Sequence, residues 1–139
     1  MQSHTTNYFN TFITASDDCP VNRGEVPVSK NGELTMAMLQ FQLIYDHPYH
    51  FSSDDVIFQC YATKNKILAN DMKSCRDDFY SKGQACFRSS PLTKRYGWGV
   101  HFNHEGKMAL YEMNSKEYKQ FINDKNLKVI KAMRNRKAQ

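Results

Sequence analysis

The chain has 139 residues, which is the length of one domain with a single hydrophobic core. Hydrophobic residues make up 40% of it and charged residues 24%, so the composition excludes a collagen-like, low-complexity or disordered chain. The longest apolar run, MAMLQFQLIY, is interrupted by two glutamines and is too short to cross a membrane, so we expect no membrane partner.

The formal net charge of +5 is unevenly distributed along the chain. All 14 acidic residues lie at or before Asp124, whereas six cations and no acid follow it. Thirteen cations therefore face fourteen acids in residues 1–124, and the basic character belongs to the residues that follow. We expect one folded domain over residues 1–133 and a basic, disordered C-terminal end over residues 134–139.

The N-terminus and the cysteines predict the compartment. MQSHTTNYF has neither the basic nor the apolar region of a secretory signal. The four cysteines, at positions 19, 60, 75 and 86, form no CxxC pair and no closely spaced framework, which indicates free thiols. We therefore expect a cytoplasmic protein.

In chain order, the first elements are a strand and up to three helices. The aromatic and β-branched residues 7–14 predict a strand, and a loop rich in proline and glycine follows. Residues 35–45 predict a helix capped by Thr35. Residues 53–63 fit both a helix and a strand, with the helix favoured. Residues 71–82 predict a helix between an Asn70 cap and Gly83.

The pattern then changes to the alternation of a β-hairpin. Apolar residues recur at every second position from Trp98, and the turn NHEG places Gly106 where a positive φ is needed. A helix is expected near Asn114, and residues 127–133 predict a last strand. The fold class is therefore a single α+β domain with an N-terminal strand, two or three helices, and a C-terminal β-hairpin, helix and strand.

The stretch CFRSSPLTKRYGWGVH, residues 86–101, is the first candidate site because it combines cations and rings and contains no acid. Arginine binds phosphate and carboxylate groups with two parallel hydrogen bonds, and rings stack on planar groups. The best functional prediction is a small binding domain for an anionic ligand, without a cofactor. The candidate ligand-binding residues are Arg88, Ser89, Lys94, Arg95, Tyr96, Trp98 and His101.

A purely structural role for the same stretch is the competing interpretation. Ser90-Pro91 favours an extended conformation, the two glycines, Gly97 and Gly99, suit either a bulge or a close backbone approach, and Trp98 suits the core. In that case Arg88 and Arg95 would pair with Asp77 or Asp78. The two interpretations differ in whether the guanidinium groups have carboxylate partners.

A thiol-dependent enzyme is an alternative from another class. Cys86 lies near three cations, which would lower the pKa of its thiol, and His101 or His104 would act as the base. The spacing does not match a Cys-x5-Arg phosphate loop, because Leu92 occupies the arginine position. A homo-oligomer that uses the aromatic surface is a third possibility.

Other chemistry has less support in the sequence. The histidine pairs His47/His50 and His101/His104 lack further ligands at metal-site spacing, so we predict no metal. Dinucleotide, P-loop and serine-hydrolase motifs are absent from the sequence. The basic end suits either a solvated terminus or contact with nucleic acid or an acidic partner, so nucleic acid stays among the possible ligands.

Several strings resemble a family of small bacterial proteins that is catalogued only as a domain of unknown function. They are HTTNYFNTFI, HPYHFSSDDVIFQ and, most specifically, KGQACFRSSPLTKRYGWG, together with LKVIKAMR. The resemblance covers nearly the whole chain and implies one intact domain that begins close to Met1. It implies no activity, cofactor or site residue.

Overall fold

Within residues 3–136, which the computed structural model describes, the chain forms five α-helices and four β-strands. The α+β class predicted from the sequence is confirmed. In chain order the elements are β1 (Thr11–Thr14), α1 (Met36–Tyr45), α2 (Ser53–Lys64), α3 (Met72–Phe79), α4 (Pro91–Lys94), β2 (Trp98–Phe102), β3 (Met108–Glu112), α5 (Lys116–Ile122) and β4 (Lys128–Lys131).

The four strands form one mixed sheet in the order β3-β2-β1-β4. Strands β2 and β3 are the predicted hairpin, and β1 pairs with β2 in antiparallel orientation. Strand β4 returns through α5 and pairs with β1 in parallel orientation, with Thr11 opposite Lys128. The first and last strands of the chain are therefore neighbours.

One face of the sheet carries the main core. Ile13 and Val100 are register partners on this face, and both are completely buried. Helices α1, α2 and α4 supply the other half of this core, which excludes water from a large apolar area. A smaller cluster lies between α2 and α3 and includes Phe58 and Tyr80.

The opposite face of the sheet is covered by α5. Phe12 alternates with Ile13 and lies on this side, where its ring packs against Tyr118 and Phe121 at centroid distances of 5.1 Å each. The Tyr118 hydroxyl also accepts a hydrogen bond of 2.9 Å from the amide of Ala15. β1 is thus buried on both faces.

Helices α1, α2, α4 and α5 begin at a short polar side chain that caps them, whereas α3 has no side-chain cap and the predicted Asn70 cap is wrong. Thr35 caps α1 as predicted, accepting a hydrogen bond from the amide of Met38. The ambiguous segment 53–63 is helical, and Ser52 begins it with a capping box that includes Asp55. The cap of α5 is Ser115, one residue after the predicted Asn114.

Strand β1 is shorter than the predicted strand over residues 7–14. Asn10 adopts a positive φ of 47°, which interrupts the extended backbone. The preceding residues bind the start of α2 instead: Thr6 donates to the Asp54 carboxylate from both its amide and its hydroxyl. The hydrogen bonds of these residues to α2 replace strand pairing, so β1 begins late, at Thr11.

Helix α3 ends at Phe79 rather than at residue 82, and Gly83 is not its left-handed cap. Tyr80 is buried, and its hydroxyl donates a 2.6 Å hydrogen bond to the carbonyl of Asp54. The side chain of Gln84 donates to the carbonyl of Phe79 and satisfies that helix end. Tertiary anchoring of Tyr80 therefore replaces the predicted glycine cap.

The hairpin turn confirms the prediction for Gly106 and gives a test. Gly106 has a φ of +78°, and an added Cβ would lie 2.9 Å from the ring of Phe9. We expect Gly106→Ala to lower the free energy of unfolding by about 1–3 kcal/mol, measured by urea denaturation.

Two glycine variants serve as controls for Gly106→Ala. Gly32 has a φ of +81° with no neighbour within 4 Å, so Gly32→Ala measures backbone strain alone. At Gly83 the φ is not positive and an added Cβ meets only ordinary contact, so Gly83→Ala should change stability little. Equal effects of all three substitutions would contradict the assigned turn.

Candidate functional site

Residues 86–101 fold as two short helical turns followed by β2. Ser90 caps α4 by accepting a hydrogen bond from the amide of Leu92, and Pro91 occupies the first helical position. Phe87 and Leu92 are completely buried, whereas Arg88 and Arg95 are exposed. The stretch therefore presents its cations outward and anchors itself through apolar residues.

Trp98 and Tyr96 belong to the body of the domain and do not line a site with the cations. Trp98 is 4% exposed, and its indole N–H donates a 2.8 Å hydrogen bond to the carbonyl of Glu25. Tyr96 is half-buried against the main core, and its carbonyl accepts from the amide of Glu25. Both residues hold the loop at residues 21–26 against the sheet.

Gly97 is required by a neighbouring backbone. Its φ is +77°, and an added Cβ would lie 2.1 Å from the carbonyl oxygen of Arg23. The sequence alone left open whether a ligand or another backbone approaches this glycine. At Gly97 the close neighbour is the backbone of Arg23, so the structural interpretation accounts for it.

His101 lies on the opposite face of the sheet from Trp98. Its Nδ1 is 2.8 Å from the hydroxyl of Tyr49, and that hydroxyl is 2.8 Å from the hydroxyl of Tyr111. The imidazole also stacks on Phe121 with centroids 4.3 Å apart. Burial lowers the pKa of His101, although the charge of Asp124 acts in the other direction.

Tyr49 reaches His101 because its backbone is held in an unusual conformation. Its φ is +59°, and its amide donates a 2.9 Å hydrogen bond to the carbonyl of Met108 at the outer edge of β3. Burial raises the pKa of Tyr49 above its ordinary value, so the hydroxyl stays protonated. The sequence analysis missed this hydrogen-bonded cluster, since no local pattern links Tyr49 to residues of the hairpin.

Arg88 and Ser89 contact the end of β4 and the residues that follow it. The Nε of Arg88 donates a 2.8 Å hydrogen bond to the carbonyl of Lys131. The Arg88 carbonyl accepts from the amide of Met133, and the Ser89 hydroxyl lies 3.0 Å from the sulfur of Met133. These contacts fix the path of the chain after β4.

The expected partners of Arg88 and Arg95 in the structural interpretation, Asp77 and Asp78, do not pair with them. Within residues 3–136 the ion pairs are Arg76 with Asp55 and Lys131 with Asp17. The guanidinium groups of Arg88 and Arg95 thus have no carboxylate partner in this part of the chain.

Arg95 instead lies in a groove with the residues that follow β4. The groove has a volume of about 540 Å³. Its rim includes a 3.3 Å hydrogen bond from the Nε of Arg95 to the side-chain oxygen of Asn135, whose NH₂ donates to the carbonyl of Lys94. We call it the basic groove; it is lined by Asp18, Pro20, Arg95, Arg134, Asn135 and Arg136.

Asp18 holds this segment of the chain in place. Its carboxylate accepts hydrogen bonds from the amides of Asn135 and Arg136, at 2.9 Å and 3.0 Å, and from the side chain of Asn135. The hydroxyl of Ser16 donates to the same carboxylate. The Ser16 hydroxyl, followed by these amides, holds the pKa of Asp18 far below its ordinary value.

The basic groove brings together two features that the sequence analysis treated separately. One is the cation-rich stretch, represented by Arg95, and the other is the basic end. The predicted disorder of residues 134–139 stays a prediction as a whole, because residues 137–139 lie outside the described residues. Within that range, however, Asn135 and Arg136 are bound to Asp18.

Cys86 and His101, the candidate catalytic pair, are not brought together. The Cys86 sulfur lies 3.2 Å from the hydroxyl of Tyr8, whose ring packs on Phe102. Consecutive residues of a strand point to opposite faces, so Phe102 and His101 are on different sides of the sheet. Burial, together with the hydrogen bond to Cys86, raises the pKa of Tyr8 to about 12.

The paired histidines are not part of a larger ligand cluster among the described residues. The rings of His47 and His50 are 6.0 Å apart, and His104 is exposed in the hairpin turn while His101 faces Tyr49. Within residues 3–136 no three His, Cys, Asp or Glu side chains are placed to hold a metal ion.

Comparison with known families places the whole domain in one group. The family described as "Family of unknown function (DUF6157)" matches residues 3–138. The chain belongs to this family. No curated protein and no solved structure matches it. The resemblance to a family of unknown function is confirmed, and the bacterial source stays a prediction. None of the helices described above is long and apolar enough to cross a membrane.

The Asp18 contacts predict a local change in dynamics. In Asp18→Ala the amides of Asn135 and Arg136 lose their acceptor, so their hydrogen exchange should become faster. Asp17→Ala is the matched control, because among residues 3–136 the Asp17 carboxylate pairs with the exposed ammonium of Lys131 and with no amide of this segment. The same exchange rates in wild type and Asp18→Ala would show that Asp18 does not hold the segment.

The lowered pKa of His101 predicts how stability depends on pH. The unfolded chain binds a proton at the ordinary imidazole pKa of about 6.5, whereas the folded protein resists protonation to lower pH. The free energy of unfolding should therefore decrease as the pH falls from about 7.5 to about 5.5.

Two histidine variants test this assignment by denaturant titration at several pH values. His101→Gln should flatten the pH dependence, whereas His104→Gln, at an exposed turn position, should keep the wild-type slope. If His101→Gln keeps the wild-type pH dependence of the free energy of unfolding, a group other than His101 is responsible for it.

Proposed function

We propose that this protein binds a small phosphate-bearing anion in the basic groove. The observation that carries the proposal is that three arginines, Arg95, Arg134 and Arg136, are among the residues that line one groove. Arginine is suited to this role because its planar fork makes paired hydrogen bonds to phosphate and carboxylate oxygens.

The charge balance of the groove supports an anionic ligand. Asp18 is the single acid among its lining residues, and its oxygens already accept hydrogen bonds from Ser16, Asn135 and Arg136. None of the three arginines has a carboxylate within ion-pair distance among residues 3–136. A bound anion would supply the missing negative charge.

The groove lining favours a small ligand over single-stranded nucleic acid. Recognition of single strands uses aromatic rings on which bases stack, and no aromatic residue is among those that line this groove. The candidate rings Trp98 and His101 lie elsewhere, as described above. The volume of about 540 Å³ is in the range of small-molecule sites.

We also propose a cytoplasmic location. The four cysteines, Cys19, Cys60, Cys75 and Cys86, are all free thiols in the structure. Free thiols persist in a reducing compartment.

The experiment is a titration followed by NMR or calorimetry, with inorganic phosphate and ADP as probes. Wild type should bind, and the double variant Arg95→Gln/Arg134→Gln should bind at least about tenfold more weakly, since charge-assisted hydrogen bonds are lost. The matched control is Lys116→Gln/Lys119→Gln, which removes the same charge from exposed positions on α5.

The two double variants separate a site from general electrostatics. Equal weakening in both would show that binding follows net charge alone. Absence of binding to wild type at millimolar phosphate and ADP would overturn the proposal. If a short single-stranded oligonucleotide binds more tightly than ADP, the ligand class is nucleic acid and not a small anion.

A further inference from the structure

A second groove lies at the start of β2 and the end of β3, away from the cations. Its volume is about 330 Å³, at the lower end of small-molecule sites. It is lined by residues that include Val26, Phe41, Tyr45, Trp98 and Glu112, and no Lys, Arg or His is among them. We call it the aromatic groove.

Three rings form one wall of the aromatic groove. Phe41 and Tyr45 stack with centroids 4.9 Å apart, and Trp98 lies 5.2 Å from Phe41 and 5.7 Å from Tyr45. Tyr45 is 53% exposed, which is unusual for a ring that belongs to such a cluster. Phe41 is 8% exposed and Trp98 is 4% exposed, so Tyr45 supplies most of the ring surface that a ligand would contact.

Glu112 brings one negative charge to these rings. It is the register partner of Trp98 across the β2–β3 pair, so the two side chains stand side by side on the same face. Gly24 packs over both, since a Cβ there would lie 2.5 Å from the Cγ of Glu112 and 3.0 Å from the Trp98 ring. Among residues 3–136, no ion pair involves the Glu112 carboxylate.

We infer that the aromatic groove binds a small organic amine, with the ammonium group on Glu112 and the apolar body against the exposed ring of Tyr45. A carboxylate beside aromatic rings is complementary to a cation, because the ring faces are electron-rich and the carboxylate accepts hydrogen bonds from N–H. An anion would meet Glu112 without a compensating cation. The inference does not depend on the basic groove, which has the opposite charge.

The test uses three probes of similar shape. They are phenethylammonium, 2-phenylethanol, which is neutral, and 3-phenylpropanoate, which is anionic. Trp98 is the only tryptophan of the chain, so its fluorescence reports on this groove directly. We expect saturable binding of the amine, at least about tenfold weaker binding of the alcohol, and no binding of the carboxylate.

Three variants test whether the amine binds in the aromatic groove. Glu112→Gln keeps the size of the side chain and should reduce amine affinity to that of the alcohol, whereas Glu117→Gln, on the exposed surface of α5, should leave it unchanged. Arg95→Gln/Arg134→Gln should also leave amine binding unchanged, which separates this site from the basic groove.

Two results would overturn the inference. One is equal affinity for the amine and the alcohol, and the other is unchanged amine affinity in a Glu112→Gln variant whose unfolding midpoint matches wild type. If Glu112→Gln does not fold, Tyr45→Leu replaces it as the test variant. The Tyr45 ring is half-exposed, so its loss should lower the affinity for the amine without unfolding the protein. Wild-type affinity in Tyr45→Leu would then reject the site.

Discussion

Strand β1 forms hydrogen bonds to β2 on one side and to β4 on the other, and all four of its residues are buried. Its alternating side chains join the two layers: Ile13 enters the main core, and Phe12 packs under α5. β1 therefore joins the main core on one face of the sheet to the layer under α5 on the other.

The parallel pairing of β1 and β4 explains where the basic groove forms. Parallel strands end at the same edge of a sheet, so the loop after β1 and the residues after β4 emerge together. Asp17 and Asp18 follow β1, and they bind Lys131 and the amides of Asn135 and Arg136. Asp17 and Asp18 therefore hold the segment after β4, which carries Arg134 and Arg136. Neither arginine has a carboxylate partner for its guanidinium group among residues 3–136.

The sequence predicted those parts of the structure that depend on local chemistry. The Thr35 cap, the Gly106 turn, the α+β class and the alternating hairpin all follow from short patterns, and the structure confirms each. Features set by distant contacts were missed. Tyr80 ends α3 early because of its bond to Asp54, and Tyr49 reaches His101 around the edge of β3. The predicted site residues separate for the same reason: Trp98 and His101 alternate on β2 and face different layers, which only the sheet reveals.

The order of the strands in the sheet has a consequence for biosynthesis. β1 is made first, but its parallel partner β4 follows only after four helices, the hairpin and α5 have been synthesised. Until then one edge of β1 exposes unpaired amide and carbonyl groups beside buried-type side chains, a surface that invites pairing with other chains. Pairing across so much intervening chain is also slow. We therefore expect an interval during synthesis in which the pairing of β1 with β4 competes with aggregation.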